Sequence, residues 1–268
     1  MRRAVNRQAA EVVGRSLRTA ADAPVGFHGA CRERLQGDPR GPQGSPAPPW
    51  ALRIACVLLL AAGALAQGRH PISGRPYAGV MGAAGADWLT RPERAAEEQP
   101  DKAIALLDIA RGATVADIGA GNGYMTWRLA ERVGPGGKVF AIDIQPEMLA
   151  LLRRNMEQRK LKNVETVLGA FDDPKLPANT LDLVLLVDVY HEFSEPQKML
   201  RRIRESLKAD GRLVLLEYRG EDPSVPIRPE HKMTVAQVRA ELEPEGYRMD
   251  RVLEGLPRQH ILIFKKTP

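Results

Sequence analysis

Residues 115–124 read Val115-Ala116-Asp117-Ile118-Gly119-Ala120-Gly121-Asn122-Gly123-Tyr124. The run Val115–Ile118 is short and apolar, which predicts a buried strand. Glycines follow at once. They let the backbone turn sharply and let a ligand approach without Cβ atoms in the way. The spacing from Gly123 to Val133 then predicts a helix, which Gly134-Pro135-Gly136-Gly137 ends. The glycine turn thus follows a strand and opens a helix. The glycine pattern is G-x-G-x-G, whereas a dinucleotide fingerprint has G-x-G-x-x-G. Tyr124 stands where the last glycine belongs. No basic residue lies between Asp117 and Trp127, so a pyrophosphate finds little charge here, and a ligand with a cationic amino-acid moiety fits better. A second predicted strand, Lys138–Ile142, runs into Asp143, 24 residues past Gly119. A carboxylate in that position accepts both hydroxyls of a ribose.

Outward from this unit, strands and helices alternate. A helix is predicted over Asp101–Ala110, with Asp101 as its cap. Another follows over Gln145–Arg159, with Met148, Leu151, Leu152 and Met156 near helical spacing. Val164–Leu168 reads as the third strand and Leu181–Val187 as the fourth. Glu195–Leu207 is helical, and Asp210-Gly211 turns into a fifth strand, Arg212–Glu217. Thr234 caps a helix to Glu243. Tyr247–Val252 and Gln259–Lys265 close the chain with no helix between them. The alternation predicts an α/β, Rossmann-like, doubly wound, mostly parallel seven-stranded sheet with an antiparallel edge hairpin.

Four motifs in this order resemble the class I S-adenosylmethionine-dependent methyltransferases. VADIGAGNGY (115–124) is similar to their first motif, and AIDIQPEML (141–149) to their ribose-binding motif. LDLVLLVDVYHEF (181–193) and LKADGRLVLLEY (207–218) resemble the fourth and fifth strands of the branch that includes ubiquinone/menaquinone-biosynthesis methyltransferases. The resemblance spans residues 100–265. It implies S-adenosylmethionine as cofactor, with Gly119 and Gly121 passing under its methionine part. It also implies Asp117 near the amino group through water, Asp143 on the ribose and Ile144 beside the adenine. Many relatives carry Gly-Asp after the third strand, where the Asp meets the adenine amine. This chain has Gly169-Ala170, so the role passes in this reading to Asp172. The other reading of Asp117 is a cap of the loop.

Asp188, at the end of the fourth strand, is placed to line the crevice where ligands of such sheets bind. His191 follows in Val189-Tyr190-His191-Glu192. It reads either as a general base or as a structural histidine bonded to the backbone. Glu217 and Tyr218 end the fifth strand beside the same space. Arg258 and His260 open the last strand and read either as reaching the same rim or as solvated residues of a sheet edge, and Arg201-Arg202-Ile203-Arg204 as a solvated helix face. The five histidines are scattered and show no ligand spacing, so no metal is implied.

Composition sets the outer limits. The chain has 268 residues, 44% hydrophobic and 27% charged, which is globular. Two cysteines, Cys31 and Cys56, cannot build a disulfide framework. The net charge of +6 is concentrated at the N-terminus: residues 1–66 hold nine Lys/Arg against four Asp/Glu, and the rest hold 30 against 29. A near-neutral body argues against a nucleic-acid partner. Residues 1–50, with six Pro and six Gly, read as a disordered basic tail. Residues 51–66 carry Arg53, a 13-residue apolar run (54–66) and an A-x-A ending, the pattern of a secretory signal peptide. A buried helix or a retained anchor is the other reading, and membrane contact is expected only through this segment if it is uncleaved. The oddity of 50 residues ahead of a signal predicts a true start near Leu52. Residues 67–100, with Tyr77, Trp88 and Arg91, are expected to form an irregular lid on a methyltransferase domain over 101–268. A signal peptide points outward and the cofactor's supply points to the cytoplasm, so the location stays open. A small-molecule acceptor is expected. A nicotinamide-dependent oxidoreductase and a non-catalytic cofactor-binding module are the rival functions.

Overall fold

A computed structural model of the chain describes residues 68–267. The expected tail (1–50) and signal peptide or anchor (51–66) lie outside the described residues. No helix among the described residues is long and apolar enough to cross a membrane.

The short apolar runs become central strands because both their faces are covered. β1 (Thr114–Ile118), β2 (Lys138–Asp143), β3 (Val164–Leu168), β4 (Leu181–Val187) and β5 (Leu207–Arg219) are parallel. A two-residue strand, β6 (Lys232–Met233), pairs with the end of β5. β7 (Tyr247–Leu253) and β8 (Gln259–Lys266) are antiparallel, and the order across the sheet is β3-β2-β1-β4-β5-β8-β7. Side chains alternate along each strand, so one run feeds two cores. Val115, Leu183, Leu185, Val214 and Ile263 face α2 (Pro100–Leu106) and α3 (Thr126–Val133). Ala116, Val184, Leu186, Leu215 and Phe264 face α5 (Pro196–Ser206) and α6 (Val235–Leu242). α4 (Pro146–Gln158) packs through Leu152 and Met156 on Ala141 of β2. Each fully buried aliphatic side chain contributes about 1.5–3 kcal/mol relative to exposure.

Several sequence expectations change in detail. Asp101 does not cap its helix. Pro100 opens α2 at a position where its missing N–H costs nothing, Gln99 precedes it in a left-handed conformation, and Asp101 pairs with Arg128 at 2.8 Å. The same helix stops at Leu106 rather than Ala110, and Asp108 beyond it has φ +46°. The helix predicted from Gly123 begins at Thr126, because Gly123, at φ +90°, still belongs to the turn. Thr234 caps α6 as expected, in a reciprocal box with Gln237. His260 is buried rather than solvated: β8 lies inside the sheet between β5 and β7, and His260 Nε2 bonds the Met233 carbonyl at 2.9 Å. Arg258 pairs with Glu97 at 2.9 Å.

The segment before the sheet is more ordered than its composition implies. It holds a 3-10 turn, Ala83–Thr90, and a short helix, α1 (Arg94–Glu98). Arg75 anchors its start to Glu241 of α6 and to the His191 carbonyl. Gln145 holds its middle by a pair of bonds to Ala83 N and the Met81 carbonyl.

Candidate active site

β1 has β2 on one side and β4 on the other, so the helices that follow β1 and β4 leave to opposite faces and a crevice opens between them. A cavity of about 560 Å³ occupies that crevice. Gly119 and Gly121 form its floor at φ +72° and +55°. A Cβ on Gly119 would lie 2.4 Å from Val189 Cγ2, and one on Gly121 would lie 2.7 Å from Leu89 Cδ1. Conformation favours glycine at both positions, and at Gly119 the branched Val189 side chain leaves no space for a Cβ either.

Asp143 stands at the cavity wall with its carboxylate held by two backbone donors. Gly121 N–H reaches Oδ2 at 2.9 Å and Gln145 N–H reaches Oδ1 at 2.9 Å. Burial raises its pKa, and these donors oppose the rise. Ile144 lines the cavity beside it, with Ile118, Ile142, Met148, Ala170 and Phe171 forming an apolar side.

Asp117 is placed differently. It is buried behind the loop, off the cavity wall, and accepts a 2.6 Å hydrogen bond from Thr126 Oγ1. Burial lifts its pKa to about 6. Asp172 is exposed and also off the wall. The chain after β3 turns back through the bond from Ala170 N–H to the Asp173 carbonyl, which leaves Ala170 and Phe171 facing the cavity.

Asp188 does line the cavity, in a left-handed conformation at φ +52° that costs a non-glycine residue energy. Gln259 Nε2 donates to its Oδ2 at 2.7 Å, while Oδ1 is buried without a partner. Burial, then Glu98 and Glu217, push its pKa well up. Glu98 comes from α1 and is held by Arg94 at 2.7 Å, Arg91 at 3.2 Å and the Tyr218 hydroxyl at 2.8 Å. Arg91, Arg94 and Glu98 all line the cavity. The sequence reading placed only Arg91 near this site, because a five-residue helix leaves almost no periodic trace.

His191 is buried and both its ring nitrogens are engaged. Nδ1 lies 2.6 Å from Glu217 Oε2, and Nε2 lies 3.1 Å from His231 Nδ1. Tyr190 N–H holds the other oxygen of Glu217 at 3.1 Å. Burial pulls the His191 pKa down, but the Glu217 carboxylate outweighs it and the net shift is upward. His231, half-buried on the cavity wall, is lowered by burial and by the neighbouring His191. Glu192, also on the wall, is pushed up to about 7 by burial. His191, Glu192 and His231 therefore cluster, although 40 residues of chain separate the two histidines and no local spacing relates them. β6 causes this: its pairing with Tyr218 and Arg219 returns residue 231 to the end of β5.

Residues 109–253 match the family described as methyltransferase domain. Among curated proteins, the chain is 33% identical over 111 residues to the ubiquinone/menaquinone biosynthesis C-methyltransferase of Salmonella arizonae, covering 41% of this chain and 44% of that protein. It is 31% identical over 138 residues to the nocamycin O-methyltransferase of Saccharothrix syringae, covering 52% and 47%. It is 31% identical over 110 residues to the protein-L-isoaspartate O-methyltransferase of Methanothrix thermoacetophila, covering 41% and 50%. The chain thus spans about half the length of the curated relatives it matches. A solved S-adenosylmethionine-dependent methyltransferase from Aquifex aeolicus superposes with a TM-score of 0.67 at 29% identity, over 70% of this chain and 100% of that one.

Proposed function

The chain belongs to the methyltransferase-domain family, with S-adenosylmethionine as cofactor, and from that premise we propose that it methylates a small-molecule acceptor held in the 560 Å³ cavity. When bound, the cofactor supplies a sulfonium-activated methyl group. The protein's task is then alignment and exclusion of water.

The observation that carries this reading is the joint construction of the glycine floor and Asp143. The floor has no side chains, and the Asp143 carboxylate is fixed in place by Gly121 N–H. Asp143 accepts the ribose hydroxyls, Ile144 flanks the adenine, and Gly119 and Gly121 lie beneath the methionine part. Asp188 Oδ1 is an unmatched acceptor on the wall and suits a cationic ammonium group. Asp117 supports the floor from behind by tying β1 to Thr126 at the start of α3. Residues 68–99 serve as the cover, since Met81, Trp88, Leu89 and Arg94 already line the cavity. His191, beside His231 on the cavity wall, is the residue of this chain placed to act on the acceptor.

Calorimetric titration with S-adenosylhomocysteine and with NAD tests the cofactor half. One site for the first and none for the second is expected, and tight NAD binding alone would overturn the reading. Transfer of labelled methyl from S-adenosylmethionine into small molecules of a cell extract tests the enzymatic half. A protein that binds the cofactor and never turns it over would be a binding module instead.

A further inference from the structure

We propose that His191, Glu192 and His231 form a binding site for one divalent transition-metal ion of the zinc class, facing the acceptor space. One ligand atom from each residue lies within 4.8 Å of the other two. All three residues line the cavity, so an ion held by them keeps a coordination position open to a bound molecule. Three protein ligands and one open position is the arrangement of reactive rather than structural zinc sites.

The histidine pair carries the argument. In its neutral form with the proton on Nδ1, His191 donates to Glu217 and turns the Nε2 lone pair toward His231. The two facing nitrogens are 3.1 Å apart. Two nitrogens at about 2.0–2.1 Å from one tetrahedral ion stand about 3.4 Å apart, so a small opening of the pair admits the ion. Glu217 is a carboxylate behind a ligating imidazole, the support that fixes ring orientation and raises ligand basicity at metal sites. It is itself fixed by Tyr190 N–H and fully buried.

Charge balance points the same way. Among the described residues, Glu192 has no ion pair and Glu217 has only the one with His191. Two carboxylates thus meet two imidazoles with no lysine or arginine bound to either acid. Arg228 lies near His231 and opposes a cation, and Glu230 offsets it. The backbone is braced against collapse: the His191 carbonyl accepts from Ala78 N and Arg75 Nη1, and β6 fixes the chain after His231.

The ion's role follows from its position. An acceptor hydroxyl or thiol bound at the open position loses its proton more readily, and that proton leaves to water in the cavity, giving a metal-bound oxyanion or thiolate. The acceptor class assigned is therefore an alcohol, phenol or thiol. This part rests on the proposed methyl transfer; the metal binding does not.

The test uses the untagged full chain after chelator treatment, titrated with Co²⁺ and then Zn²⁺. One Co²⁺ per chain with the intense visible absorption of a four- or five-coordinate site, displaced by Zn²⁺, is expected. His231→Ala and Glu192→Gln should each weaken binding at least 100-fold, and Glu217→Gln about 10–100-fold through the His191 ring. Circular dichroism checks that each variant folds; if His231→Ala does not, Glu192→Gln decides. Weak octahedral absorption, or equal affinity in wild type and Glu192→Gln, overturns the proposal. So does activity that survives chelation yet is lost in His231→Ala, which would make the pair a proton relay. S-adenosylhomocysteine titration of the same metal-free protein separates the two readings. Heat there without metal binding sinks only the metal site, and metal binding without heat sinks only the proposed transfer.

Discussion

The backbone N–H of Gly121 donates to Asp143 Oδ2 at 2.9 Å, so the glycine turn after β1 and the acid at the end of β2 are one physical unit. The turn positions the carboxylate, and the carboxylate holds the turn in its left-handed conformation. Asp143→Ala removes a charged acceptor from two backbone donors and, in the proposed reading, from the ribose. A hydrogen bond to a charged group contributes about 1.5–3 kcal/mol. The expected outcome is at least a ~100-fold loss of S-adenosylhomocysteine affinity by calorimetry, with Asp143→Asn intermediate because it keeps one carbonyl oxygen. Unchanged affinity in Asp143→Ala would remove Asp143 from the cofactor site.

Gly119→Ala puts a methyl group where Val189 already stands, on a residue at φ +72°. The left-handed conformation and the overlap each cost about 1–3 kcal/mol. Urea unfolding should show a loss in that range or above. Val189→Ala in the same chain should recover the packing share and leave the conformational share. Full recovery would mean that the backbone conformation carries no cost there.

Asp117 sets a pH dependence. Its carboxyl titrates at about 6 in the folded chain against an ordinary value of 3.8. Between these values the folded chain holds a proton that the unfolded chain has released. Stability from this group is therefore greatest below 3.8, falls as pH rises through the window, and levels off above 6. Asp117→Asn removes that slope. At pH 7 the variant should gain up to about 3 kcal/mol, at about 1.4 kcal/mol per pH unit, less whatever the Thr126 bond loses. At pH 4 the two proteins should nearly coincide. Thermal melts across that range read the difference, and parallel curves would place the burial cost elsewhere.

The order of elements, the parallel core and the glycine–acid unit were legible in the chain itself. Each rests on local physics: apolar runs too short for helices, glycines where the backbone must turn left-handed, and an acid at a fixed distance along a strand–helix–strand unit. Asp143 and Gly119 need no distant partner to be recognised. The other wall of the cavity rests on nothing local. Asp117 and Asp172 look like cofactor acids in one dimension, but side-chain direction turns the first behind the loop and a tight bend leaves the second in solvent. His260 becomes core because the last strand inserts between two others, a placement decided by packing across the whole sheet. His191 meets His231 only because a two-residue strand folds back onto β5. Periodicity reports which face of an element is apolar; which elements then meet is decided by the sheet they share.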